Sequence, residues 1–370
     1  MAASKGGPLG PAVHEKRGGV VVVRDPERVS ADWLTDVLRS NGVLTEGRVD
    51  AVRISPAVFS GAIAELSRLE VTYSSPATGL PSRLLIKITK EELHPEHLDR
   101  GRIEVEFYRA TLGSSLAIPG CFDAQVDPES GHSHLLIEDL SKSHVLTTPP
   151  LAPSIEHCRS IGECLAGIHA HFWQSPDLGV RIGQAFDQEQ ADAILERFYL
   201  TFRDFIDFIG PSLLPEQRSL YDKIVASDIV CRRHRRLESR ECVTVVHGDA
   251  HIGNFMLPRQ MGRAVAVDWH NWDLSLGAGD LAFFIAHKWS PRRRAANELP
   301  LLRHYHDALL QLGVGDYSWD RFWLDYRESV ILATMISIGQ FRRKQHPALI
   351  WHGLECSSSA YQDLGCEELL

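Results

Sequence analysis

Val245-Val246-His247-Gly248-Asp249-Ala250-His251-Ile252-Gly253-Asn254 is the stretch whose reading decides the fold, and Asp268 completes it after a short apolar run. The apolar residues up to Val246 read as a buried strand that delivers His247-Gly248-Asp249 to a loop. Four residues then separate Asp249 from Asn254, and Ala264-Val265-Ala266-Val267 is a second strand-like run that ends in Asp268. A loop carboxylate can accept a hydroxyl proton, and a nearby amide with a second carboxylate can hold a magnesium ion. Two other readings use the same residues. His-Gly-Asp alone is compatible with a polar turn in which Asp249 caps its own backbone. His247, Asp249, His251, Asp268 and His270 are also ligand types for zinc or a metal pair, as in a metallohydrolase, but that arrangement leaves Asn254 without a task.

The spacing favours the first reading. It is that of the kinase catalytic loop, H-R-D-x-x-x-x-N, with Gly248 in place of Arg. Upstream, Leu84-Leu85-Ile86-Lys87-Ile88 embeds one lysine in an apolar strand, and a buried charge requires a partner. The helix-like segment Arg102-Ile103-Glu104-Val105-Glu106-Phe107-Tyr108-Arg109 offers two glutamates, of which Glu104 is the expected partner and Glu106 the reserve. A strand lysine paired with a helix glutamate holds the α/β-phosphates in kinases. Read alone, each segment is an edge lysine or a solvated helix face; the downstream pattern reverses that preference.

His247 to Asn254, with Asp268 and then Gly279-Asp280-Leu281-Ala282, resembles the aminoglycoside/choline phosphotransferase superfamily of small-molecule kinases. Leu165-Ala166-Gly167-Ile168-His169-Ala170-His171-Phe172-Trp173, Glu104-Val105-Glu106-Phe107-Tyr108 and Leu135-Leu136-Ile137-Glu138-Asp139-Leu140 are similar to its ecdysteroid-kinase-like branch. The resemblance runs from about Ser30 to the final helices. It implies an α+β, bilobal protein-kinase-like fold with a β-rich N-lobe and a mainly helical C-lobe. It implies ATP and Mg2+ as cofactors and backbone around Glu138 to Leu140 as the adenine site. Two segments depart from the pattern. Phe59-Ser60-Gly61-Ala62-Ile63-Ala64-Glu65 holds one glycine, and reads equally as a phosphate-cradling loop through Gly61 or as an ordinary hairpin turn. Trp269-His270-Asn271-Trp272-Asp273 is more aromatic than in many relatives. It reads equally as core or as an acceptor pocket through His270, Trp272 and Asp273.

With 370 residues, two lobes sharing a cleft are expected: a flexible tail over 1–19, a nucleotide-binding N-lobe over 20–140, and a C-lobe over 141–370 with the catalytic loop, metal site and acceptor pocket. A hydrophobic content of 44% with 24% charged residues is that of a globular protein. The net charge of -9 argues against a nucleic-acid partner, because phosphodiester backbones demand a Lys/Arg excess. Arg232 to Arg236 and Arg292-Arg293-Arg294 read as solvated faces. Seven cysteines without C-x-x-C pairing suggest reduced thiols. No stretch has the apolar length of a membrane span and the start lacks a signal-peptide pattern, so a cytoplasmic location without membrane or obligate protein partner is expected.

Expected elements are a helix over Ala31 to Ser40, strands at Val49–Ile54, Ala64–Tyr73 and Arg83–Ile88, the Glu104 helix, and strands near Phe122–Val126 and His134–Ile137. Beyond Thr147-Thr148-Pro149-Pro150, Ile161, Leu165, Ile168 and Phe172 share a helix face, as do Phe198, Phe202, Phe205 and Ile209. A strand pair from His247 to Val267 and helices around Leu301–Leu310 and Arg321–Gly339 follow. The resulting expectation is an ATP-dependent phosphotransferase acting on a hydroxyl group of a small molecule. Asp249 is its base, Asn254 and Asp268 hold magnesium, and Lys87 with Glu104 grips the phosphates. The rival is a catalytically silent, nucleotide-binding pseudokinase.

Overall fold

Leu84, Ile86 and Ile88 alternate with more exposed residues along a strand and are buried, whereas Lys87 lies on the opposite face by the same period of two. A computed structural model describes residues 22–56, 61, 63–77, 79–93, 95–147, 153–184 and 188–370. The expected tail over 1–19, Phe59, Ser60 and Ala62 of the expected phosphate loop, and the Thr148-Pro149-Pro150 break lie outside those residues. The chain divides into two compact units, Met1–Ser115 with Gly120–Asp139, and Leu116–Pro119 with Leu140–Leu370.

The first unit is an antiparallel sheet of β1 (Val49–Pro56), β2 (Ala64–Tyr73), β3 (Arg83–Thr89), β4 (Cys121–Val126) and β5 (Ser133–Glu138), in the order β1-β2-β3-β5-β4. One face buries Leu69, Val71, Leu84, Ile86 and Leu136 against Leu34 and Leu38 of α1 (Ala31–Ser40). Ser30 starts that helix by accepting the Trp33 amide at 3.1 Å, satisfying a donor that the first helical turn leaves open. Helix α2 (Pro95–Ala110) packs on β4 and β5 and carries the Glu104 region. At the end of β5, Asp139 is buried and ion-paired to Arg68 at 2.7 Å and Arg83 at 3.0 Å, which pins the strand's exit.

The second unit is mainly helical. Ser154 caps α3 (Ile155–Phe172), whose buried face carries Ile161, Leu165, Ile168 and Phe172 at helical spacing. Helices α4 (Gln188–Ile209), α5 (Pro215–Ala226) and α6 (Ile229–Ser239) follow, then α7 (Ala278–Leu281), α8 (Pro291–Gln311), α9 (Trp319–Thr334), α10 (Ile336–Arg342) and α11 (Pro347–Asp363). Phe205 and Ile209 of α4 are packed with Ile338, Ile350 and Leu354, so this aromatic face is core. Among the described residues, no helix is long and apolar enough to cross a membrane.

The expected strand pair between His247 and Val267 forms as β8 (Phe255–Pro258) with β9 (Val265–Ala266), and β6 (His144–Leu146) joins it on the other side of β8. The strand that leads to His247, β7 (Val243–Val246), pairs with β10 (Asp273–Leu276). All of these strands have two to four residues, too short for their patterning to state a partner. Two expectations are corrected here. Helix Arg321–Gly339 breaks at Met335, and α11 had no separate signal. The arginine runs are not wholly solvated. Arg236 binds the fully buried Asp325 at 2.9 Å, and the buried Arg294 is held by Glu298 at 2.8 Å and by Asp363. The fold is α+β, with a β-rich N-terminal unit and a mainly helical C-terminal unit.

Candidate active site

Strand β7 ends at Val246, and the chain then turns through Gly248 at φ +73°. A Cβ there would stand 2.1 Å from the Asn271 carbonyl oxygen, so the close backbone approach and the left-handed turn both demand glycine. The turn is anchored from below. Asp280, in α7 and 2% exposed, accepts the His247 amide at 2.7 Å on one oxygen and the Gly248 amide at 3.0 Å on the other. His169 Nε2 reaches the first of these oxygens at 3.2 Å, and its Nδ1 meets the Tyr305 hydroxyl at 2.7 Å. Burial alone would raise the Asp280 pKa, but the hydrogen bond and charge of His169, together with the His247 charge and amide, outweigh it and hold the carboxyl below its ordinary value. In the sequence Asp280 stands within the Gly279–Ala282 segment of the resemblance. The sequence gives no sign of Tyr305, whose contact joins residues far apart in the chain.

His247 is fully buried; its Nε2 lies 2.9 Å from the Val267 carbonyl and its ring lies 4.5 Å from that of Trp269. It therefore braces the loop from within. Asp249 remains accessible, its side chain 30% exposed. Asn254 donates from Nδ2 to the Asp249 carbonyl at 2.9 Å and to its carboxylate at 3.3 Å, which turns Oδ1 away as the amide's acceptor atom. His251 accepts the Gly253 amide at 3.0 Å through Nδ1, and its Nε2 lies 3.6 Å from the Asp249 carboxylate. Burial lowers its pKa against the pull of Asp249.

Val267 donates its amide to the Asn254 carbonyl at 2.9 Å, so the chain next to Asp268 is tied directly to Asn254. Asp268 adopts φ +67°, a left-handed conformation that Asp tolerates better than most residues, and its side chain is 37% exposed. The structure thus assembles Asp249, Asn254 and Asp268 in one loop cluster of the second unit.

Of the expected acceptor residues, His270 binds the Asp268 carboxylate at 2.8 Å through Nδ1. Trp272 is 7% exposed and Trp269 is fully buried, so packing governs at least the latter. Asp273 opens β10 opposite Val246, and burial raises its pKa. No group of three or more His, Cys, Asp or Glu side chains among the described residues has the geometry to hold a metal ion.

In the first unit, Lys87 Nζ lies 2.7 Å from Glu104 Oε2 and 2.9 Å from Oε1, with side chains 14% and 5% exposed. Glu106 instead binds Arg102 at 2.6 Å on a more exposed face. The Glu138 amide donates to Gly120 at 2.8 Å within the sheet, and Leu140 is buried at the start of a short helical turn in the second unit. Gly61 is exposed; among the described residues a Cβ there would meet only the Ala64 carbonyl at 3.6 Å, an ordinary contact.

The sequence pattern of the ecdysteroid kinase-like family matches residues 104–313, more than half of the chain. The chain belongs to the ecdysteroid kinase-like family. The matched span contains Glu104, Asp249, Asn254, Asp268 and Asp280, whereas Lys87 precedes it. Among solved structures, a protein from Ralstonia eutropha JMP134, provisionally named an aminoglycoside phosphotransferase, is similar at 15% identity. Its TM-score is 0.52, with 91% of this chain and 97% of that one covered. A choline/ethanolamine kinase family protein from Mesorhizobium loti is 12% identical, covering 86% and 93% at a TM-score of 0.48. No curated protein matches. Membership of the ecdysteroid kinase-like family and the shared fold mark the chain as a small-molecule kinase-like phosphotransferase.

Proposed function

We propose that the protein transfers the γ-phosphoryl group of ATP to a hydroxyl group of a small molecule. The observation that carries this reading is the Asn254 amide bonded to Asp249, beside an Asp268 held in a left-handed conformation. One hydrogen-bonded unit thereby presents an accessible carboxylate and two separate hard oxygen donors.

Asp249 orients the acceptor hydroxyl and receives its proton on the carboxylate as the new oxygen–phosphorus bond forms and the bond to the ADP oxygen breaks. Asn254 Oδ1 and the Asp268 carboxylate would hold magnesium, a fit supported by their chemistry, since this ion takes few protein oxygens and completes its shell with phosphates and water. Magnesium, when bound, supplies charge neutralisation at the β- and γ-phosphates. Asp280 keeps the loop in register through the His247 and Gly248 amides. Lys87, oriented by Glu104, binds the α/β-phosphates. The Asp139 ion pairs hold the end of β5, from which the backbone of Glu138 to Leu140 receives the adenine. Gly61 belongs to the loop proposed over the phosphates. His270, Trp272 and Asp273 border the acceptor.

The pseudokinase alternative predicts nucleotide binding without turnover. The deciding experiment is ATP consumption across a panel of hydroxylated compounds with wild type and Asp249→Asn. Turnover that falls at least about a hundredfold in the variant, with ATP affinity near normal, supports the reading. Turnover unchanged in Asp249→Asn removes Asp249 from the chemistry, and ATP binding without transfer to any compound favours the silent module.

A further inference from the structure

Immediately after the Asp280 anchor the helix widens into one π-type turn, Ala282–Ala286, that ends at His287 and Lys288. Such turns displace side chains from the regular helical positions and are frequent at functional sites. Here Lys288 Nζ is set over the Phe283 ring at 4.6 Å from its centroid. Among the described residues, no carboxylate is within ion-pairing distance of this half-buried ammonium. Its charge is nevertheless felt by the loop, because Asp249 and Lys288 act on each other through space and both act on His251.

Two histidines adjoin Lys288, one before it in the chain and one on α11. His287 is fully buried with neither ring nitrogen hydrogen-bonded, and its ring stacks on Phe283 at 5.3 Å and 16°. Gly353 of α11 is obligatory there, since a Cβ would come 2.1 Å from the His287 ring. His352 of the same helix sets its Nε2 2.9 Å from the Lys288 carbonyl oxygen. A half-buried ammonium with no carboxylate within reach among the described residues leaves part of its charge without a counterion, and an anion would complete the arrangement. Burial lowers the Lys288 pKa, against the pull of Asp249.

We propose that Lys288, propped on Phe283, is an oxyanion-binding residue of the Asp249 site. The oxyanion has two sources of one chemistry: the phosphoryl group in transfer, or an acidic group on the acceptor. Either one disfavours polycationic or quaternary-ammonium acceptors, which Lys288 would repel. This inference rests on the phosphotransfer reading for the identity of the anion, but not for the existence of the anion site.

The test is protection of Lys288 from trace acylation by acetic anhydride, mapped by mass spectrometry on the full chain. It is run with magnesium and either ADP or the non-hydrolysable analogue AMP-PNP, and with gluconate, glucose or glucosamine added to each. Protection by AMP-PNP beyond ADP assigns the site to the γ-phosphoryl group; protection by gluconate beyond glucose assigns it to an acidic acceptor. Lys288→Met should weaken the protecting anion about tenfold, as expected for one charge-assisted hydrogen bond, and Lys288→Arg should restore most of it. In the first case kcat falls for every acceptor; in the second, KM rises for acidic acceptors alone. Protection by none of these anions, or by glucosamine above gluconate, overturns the proposal. Protection without phosphoryl transfer to any hydroxyl compound would instead overturn the kinase reading and leave the anion site standing.

Discussion

Replacing Asp280 by Asn keeps the side-chain shape, removes its charge and turns one acceptor oxygen into a donor, so it tests what the anchor contributes. In the native loop one carboxylate oxygen takes both the buried His247 amide and His169 Nε2, while the other takes the Gly248 amide. An Asn side chain satisfies the first pair best with its oxygen, which turns its NH2 against the Gly248 N–H. Gly248 is exposed, so water relieves part of that conflict. The remaining cost is one lost charge-assisted bond and two weakened ones, about 2 kcal/mol. For a unit of this size that is a fall in melting temperature of about 4–8 °C. Asp280→Ala orphans the two buried donors and should cost about 4 kcal/mol.

The acid dependence has a definite sign. The folded pKa of Asp280 is held below its ordinary 3.8, so its contribution is complete above that pH and is lost as the pH falls through the folded value. The gap between wild type and Asp280→Asn should therefore narrow below about pH 4. Differential scanning calorimetry across pH 3–8, paired with turnover at neutral pH, checks both parts. Asp280→Asn within about 0.5 kcal/mol of wild type, with turnover intact, would refute the anchoring role.

Three further outcomes are expected. Lys87→Met and Glu104→Gln each leave a largely buried charge unpaired and should each cost about 3 kcal/mol, while the double variant loses well under the sum; additive losses in urea titrations would show no coupling. Gly248→Ala forces a Cβ into φ +73° and onto the Asn271 carbonyl, costing at least about 1–2 kcal/mol from backbone conformation alone. A melting temperature equal to wild type would show that the turn can relax. Asp268→Ala should abolish the magnesium dependence of nucleotide affinity, measured by titrating ATP with and without the ion; an unchanged dependence would move the metal site elsewhere.

The sequence determined the elements whose signals are local. Alternation in Leu84–Ile88 and the helical faces of Ile161–Phe172 depend on neighbours a few residues away, and these elements form over nearly the expected spans. The Asp249-to-Asn254 spacing was legible for the same reason, because a side-chain bond five residues apart is written in the loop itself. Tertiary structure decided what links distant segments. It set β7 against β10, since strands of two to four residues carry no register information. It paired the half-buried Arg236 with Asp325 and the buried Arg294 with Asp363, both carboxylates coming from other helices. It gave Glu104 rather than Glu106 to Lys87, a choice fixed by which helix face meets the sheet. It also joined His169, Tyr305 and Asp280 under the loop, and set Lys288 on Phe283 with no carboxylate in ion-pairing reach among the described residues. Charges and hydrogen-bonding groups are placed by the packing of whole elements, so their partners emerge only when the chain has folded.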